Sequence, residues 1–197
     1  MLSGSCAVRI TPMRRALAML GSALFLVIAP GTLAGWAPWW ISRWIFRTPA
    51  PWWFPLRVVG VVLIAAGLPV LLDSFARFAL EGLGTPAPVF PTKHLVVGGL
   101  YRYVRNPMYV AVTSIILGQG LLFGNITVLE YGGLVWIGFF LFVLAYEEPT
   151  MRASFPDDYR RFCANVPRWI PRLTPWHGDP TTSFETPDPH STARRPH

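Results

Sequence analysis

Charge is scarce in this chain of 197 residues: only 14% are Asp, Glu, Lys or Arg, while 52% are hydrophobic. A soluble domain carries charge on about a quarter of its residues, so this composition excludes an ordinary water-facing surface. Cysteine is nearly missing too, with Cys6 and Cys163 near opposite ends of the chain. Two thiols so placed support neither a disulfide framework nor a structural zinc site, and no metal is expected. Lysine occurs once, at Lys93, and acidic residues number 10. The resulting net charge of +7 does not read as a nucleic-acid footprint. The arginines cluster beside apolar runs, where basic residues report membrane topology and contact with anionic lipid.

Apolar and aromatic residues take the place of charge. Mean hydropathy is +0.40, and nine Trp with 13 Phe suit belts of amphipathic rings at two water boundaries. The pattern predicts an all-α integral membrane bundle of about four transmembrane helices, with a C-terminal helical hairpin and a cytoplasmic amphipathic segment. Residues 16–33 lack charge over a length of about 27 Å as a helix, enough for a first span. The basic start and apolar stretch resemble a signal peptide, but no clean small-residue cleavage site follows before Trp36, so this span is expected to be retained. Residues 36–55 pack Trp36, Trp39, Trp40, Trp44, Trp52 and Trp53 among prolines and arginines, which places them in the interface. Residues 58–80 form a second span, where Asp73 and Arg77 stand one helical turn apart and are read as a structural pair.

Glycines and prolines break residues 81–106 into a long loop, a length that suggests function. Two further apolar runs, 108–123 and 126–146, are joined by Gly124 and Asn125, which forces an antiparallel hairpin. From 147 to 169 the chain becomes charged, with Phe155, Tyr159, Phe162 and Val166 at helical spacing, as in an amphipathic helix lying on the membrane or folding back over a site. Three regions follow: 1–80, N-terminal membrane helices with a Trp-rich interfacial loop; 81–172, a ligand-binding region; and 173–197, a disordered tail rich in Pro, Thr and Ser. Counting Lys and Arg puts both termini, the 81–106 loop and the 147–169 segment in the cytoplasm, leaving Arg43, Arg47 and Arg57 outside.

Polar function concentrates in two patches on that face, KHLVVGGLYRYVRNPMY (93–109) and YEEPTMRASFPDDYRR (146–161). In the first, Gly98 and Gly99 permit close backbone approach. Pro107 starts a helix where proline is favoured, gathering Arg105, Asn106 and free N–H groups at a positive end. In the second, Glu147 and Glu148 end a membrane helix, where paired carboxylates are costly without a cation. An ammonium group or a basic residue would satisfy them. The simpler reading is that they cap the membrane boundary beside Arg152.

The combination Gly99, Tyr101, Arg105, Asn106, Pro107, Tyr109, then Glu147 and Glu148, then Phe155, Tyr159, Phe162, Val166 and Pro167 resembles the isoprenylcysteine carboxyl methyltransferase and phospholipid methyltransferase superfamily. The resemblance covers residues 81–172. It implies a membrane methyltransferase using S-adenosyl-L-methionine, with a lipophilic or small-molecule acceptor entering from the bilayer. By that resemblance Lys93, His94, Leu95 and Val96 line the cofactor, with Tyr101 beside them. Asn106, Pro107, Met108 and Tyr109 contact it at the helix start. Glu147 holds the methionine amino group, supported by Glu148.

Arg105 and Glu148 are the candidate catalytic residues, and Glu148, Asp73 and His94 are unranked candidates for a base. Two positions depart from the family pattern. Asn106 stands where many members have His, and it cannot act as a base. Val143 stands where the prenylcysteine branch has an Arg for the substrate carboxylate, which argues against a prenylcysteine acceptor. Two other functions stay open. One is a membrane reductase of the sterol-reductase type using NADPH, which would need more basic groups than residues 93–109 offer. The other is a non-catalytic membrane protein that retains the fold.

Overall fold

The computed structural model describes residues 20–21, 24–80 and 98–178. Every regular element among them is helical. Helix α1 runs over Leu24–Ser42, α2 over Phe54–Leu80, α3 over Pro107–Phe123, α4 over Ile126–Ser154 and α5 over Pro156–Asn165. Three stretches are long and apolar enough to cross a bilayer, and α3 is a shorter apolar helix between two of them. Leu24, Val27, Val58, Val62, Leu134, Ile137 and Leu141 are exposed along these helices. Apolar side chains facing outward mark a protein whose surroundings are lipid. The chain is an integral membrane helical bundle.

Helix α3 is the centre of the bundle, with Ala111, Val112, Ile115 and Ile116 almost wholly buried. It meets α2 at Gly60 and Gly118. A Cβ on Gly60 would lie 2.6 Å from the Gly118 carbonyl oxygen, and one on Gly118 would lie 2.7 Å from the Gly60 oxygen. In lipid, where apolar burial drives association weakly, such backbone contact supplies the packing that holds helices together. The connection to α4 is as short as expected: Gly124 takes the left-handed conformation (φ 65°), and Asn125 caps α4 by accepting from the Val128 N–H at 3.2 Å.

The first span differs from the sequence expectation. It continues through Trp36, Trp39 and Trp40 to Ser42, so the interfacial stretch begins at Arg43 rather than at Trp36. Pro38 has no N–H, and in a regular helix its ring would press on a carbonyl one turn back. A wide π turn over Gly31–Trp36 absorbs it, with the Ala37 N–H reaching back to the Thr32 oxygen. The Leu33 and Ala34 carbonyls, to which Pro38 can donate nothing, accept instead from the Tyr131 hydroxyl at 3.0 Å and from Gln119 Nε2 at 2.6 Å. These two side chains stitch α1 to α4 and α3. Arg43, at φ 51°, then ends the helix with its guanidinium over the Trp39 and Trp40 rings.

The last helix forms its own small cluster. Tyr159, Phe162 and Val166, at the spacing read from the sequence, are buried together with Trp176 against them. Past residue 173 the chain touches this cluster again: the Trp176 N–H bonds to the Arg102 oxygen at 3.0 Å, and its ring lies on Phe162. Residues 179–197 of that tail lie outside the described residues.

Candidate functional site

The two polar patches meet at one end of the bundle. Before α3 the chain makes a 3-10 turn at Gly99–Arg102, which buries Tyr101. Burial pushes the Tyr101 phenol well above its ordinary range, the charge of Glu147 adds to that, and Ser74 on α2 hydrogen-bonds it. Tyr101 is therefore a neutral phenol at physiological pH. Pro107 occupies the first turn of α3, where its missing N–H costs nothing. Asn106 precedes it but does not cap the helix; its Nδ2 donates to the Arg168 carbonyl at 3.2 Å.

The neighbouring glutamates are placed by a second π turn, Val143–Glu147, which comes just before Pro149 and again lets a helix pass a proline. Glu148 is buried at 4% exposure and is the hub of an ion cluster. Arg168 grips it with two bonds, Nε at 2.6 Å and Nη2 at 3.1 Å, and Arg105 Nη1 and Arg152 Nη2 each reach it at 3.2 Å. A buried carboxylate demands such neutralisation, and the bidentate Arg168 pair is the strong geometry for it. The bond to Glu148 in turn raises the Arg168 pKa above its ordinary value. Arg105 also donates to Cys163 Sγ at 2.8 Å.

Glu147 is placed differently. It is half-buried, and its Oε2 accepts from the Tyr109 hydroxyl at 2.8 Å. Among the described residues no other hydrogen bond reaches this carboxylate. Its other oxygen has no hydrogen-bond partner among the described residues.

Residues 166–176 close over the start of α3 as a strap. The Arg105 N–H bonds to the Pro167 oxygen at 2.9 Å, and the Arg172 N–H to the Tyr103 oxygen at 3.0 Å. Trp169 packs against Trp136 and Phe140 of α4, with ring centres 4.6 and 6.0 Å away. Polar clamps thus hold one edge of the strap and aromatic packing the other.

An apolar cavity of about 420 Å³ opens beside the same residues. Phe25 and Pro30 of α1, Met108, Tyr109 and Val112 of α3, and Gly138 and Phe139 of α4 line it. A Cβ on Gly138 would meet nothing within 4 Å. Tyr109 belongs to both environments: its ring forms part of the cavity wall against Phe139, at 4.7 Å, while its hydroxyl holds Glu147.

Of the residues singled out from the sequence, the structure gathers Tyr101, Arg105, Asn106, Pro107, Met108, Tyr109, Glu147 and Glu148 at this end. Lys93, His94, Leu95 and Val96 lie outside the described residues. Of the three candidate bases, Glu148 is held by three guanidinium groups, Asp73 pairs with Arg77 at 2.9 Å, and His94 is among the residues not described. Sequence reasoning missed Arg168 and Trp169. Their only signal was position, immediately after the Val166–Pro167 pair of the motif.

A family model described as phospholipid methyltransferase matches residues 56–158. Over 80 residues the chain is 36% identical to the protein-S-isoprenylcysteine O-methyltransferase of Schizosaccharomyces pombe, a stretch that covers 40% of this chain. The chain spans about a third of that relative, 34% of its length. Over 70 residues it is 33% identical to an uncharacterized protein of Haemophilus influenzae, covering 32% of this chain and 100% of the relative.

Proposed function

Because the chain belongs to the phospholipid methyltransferase family, we propose that it transfers a methyl group from S-adenosyl-L-methionine to a lipophilic acceptor drawn from the bilayer. The observation that carries this reading is the double role of Tyr109, which walls the apolar cavity and binds the open carboxylate of Glu147. An acceptor whose apolar part lies in the cavity brings its polar head to the edge of a cofactor held at that carboxylate.

The residues present suit the cofactor. Glu147 offers a partly desolvated oxygen to the methionine ammonium group, a charge-assisted bond that Tyr109 keeps aimed. Tyr101, Met108 and the start of α3 supply aromatic, apolar and backbone surface around it. S-adenosyl-L-methionine, when bound, supplies a methyl group already made electrophilic by its sulfonium. The protein's share is to align donor and acceptor and keep water out. Asn106, Trp169 and the strap do the second. Arg105 and Glu148 we assign to the scaffold, since each is spent on the other and on Arg168 or Cys163.

Sidedness is part of the proposal. Arg77, Arg102, Arg105, Arg152 and Arg168 gather at the site end, whereas Arg43, Arg47 and Arg57 lie at the other, where the Arg47 N–H bonds to the Phe123 oxygen. The positive-inside bias supports a site open to the cytoplasm.

The test is calorimetric titration of the detergent-purified protein with S-adenosylmethionine, S-adenosylhomocysteine and NADPH. Micromolar binding of the first two alone is expected. Binding of NADPH alone, or of none of the three, overturns the reading.

A further inference from the structure

The end of α2 touches the turn that carries Tyr101 at two points. Arg77 is the first. Its Nε bonds to Asp73 Oδ2 at 2.9 Å, and its guanidinium lies flat on the backbone of Gly99, where a Cβ would coincide with Cζ and Nε. Gly99 also has φ of 52°, a conformation that side chains resist. The second is Ser74, fully buried on the same face of α2. Its Oγ is fixed by donating to the Val70 oxygen at 2.7 Å, and it hydrogen-bonds the Tyr101 phenol. Backbone and side-chain tip of one short turn are thus held by residues three apart on one helix.

We propose that Arg77, oriented by Asp73, is a positioning residue: by lying on Gly99 it fixes the Gly99–Arg102 turn and so sets Tyr101 beside the Glu147 carboxylate. The alternative is a surface i, i+4 pair of the kind that stabilises helices slightly. Such a pair would not need a glycine beneath the guanidinium, still less one in the left-handed region. The contact is specific to a planar group. A lysine would keep the charge and lose the flat face that stacks on the peptide. The inference rests on the cofactor reading for its consequence, though not for its geometry.

Two measurements on the full-length protein in detergent separate the parts: hydrogen–deuterium exchange over residues 99–106, and affinity for S-adenosylhomocysteine. Arg77→Lys and Gly99→Ala are each expected to raise exchange in 99–106 while leaving α4 protected. Each should also weaken binding by about tenfold to a hundredfold, as misplaced binding groups do. Combining Arg77→Lys with Tyr101→Phe should weaken binding by less than the product of the two single effects. Wild-type exchange in Arg77→Lys overturns the proposal. So does raised exchange with unaltered affinity, which would leave Arg77 a purely structural residue. If the wild-type protein binds no S-adenosylhomocysteine, the cofactor reading has failed, and the exchange result alone decides whether Arg77 sets this turn.

Discussion

Glu147 and Glu148 are consecutive residues with opposite loads: among the described residues Glu148 gathers Arg105, Arg152 and Arg168, while Glu147 holds one hydrogen bond, from Tyr109. Their amide variants should therefore fail in different ways. Glu147→Gln is expected to weaken S-adenosylmethionine binding by about 1–3 kcal/mol, the worth of a hydrogen bond to a charged group, with thermal stability near wild type. Unchanged affinity by calorimetry would remove Glu147 from the pocket.

Glu148→Gln strips the charge from a buried hub and leaves the Arg105 guanidinium, 12% exposed, without a counterion. A loss of about 3–5 kcal/mol is expected, as for removal of one member of a buried pair. Thermal unfolding in detergent reads it. A melting temperature equal to wild type would mean that the cluster is solvated and contributes little.

Gly138 faces open cavity. Gly138→Phe should fill that space, lowering turnover on long-chain acceptors more than on short ones while leaving cofactor affinity alone. Equal loss across a chain-length series would place the acceptor elsewhere.

At the α2–α3 crossing, Gly118→Leu forces a side chain into the Gly60 backbone. Overpacking of this kind costs about 1–3 kcal/mol, and denaturant titration of the purified variant should show a correspondingly lower midpoint. A wild-type midpoint would mean that the two helices do not touch at these glycines.

Alkaline pH should destabilise the site end of the bundle. Burial raises the phenol pKa values of Tyr101 and Tyr159 above the ordinary 10.0. The unfolded chain therefore gives up these protons first. The stability they contribute is whole below about pH 10 and is lost as pH rises above it toward the folded values. Tyr159→Phe should flatten that decline in a melting-temperature series against pH, and an unchanged slope would dissociate Tyr159 from it.

Local chemistry made much of this legible in the sequence. Charge-free runs marked the spans, Gly124 and Asn125 the hairpin turn, and the spacing of Phe155, Tyr159, Phe162 and Val166 the amphipathic helix. The extent of α1 was not legible, because the donors that let a helix pass Pro38 belong to Gln119 and Tyr131, 85 and 98 residues away from the carbonyls they serve. The division of labour between the glutamates was hidden for the same reason. Arg168 stands 20 residues beyond Glu148 and Arg105 43 residues before it, and only the fold brings the two arginines onto one carboxylate rather than its neighbour.

The strap also imposes an order on the protein's making. All four apolar helices precede it in the chain, so they leave the ribosome before Arg168 and Trp169 do. Until those residues arrive, Glu148 lacks its two-pronged partner and the mouth of the site stands uncovered. A chain truncated after α5 would keep its four apolar helices and lack the strap that completes the Glu148 cluster.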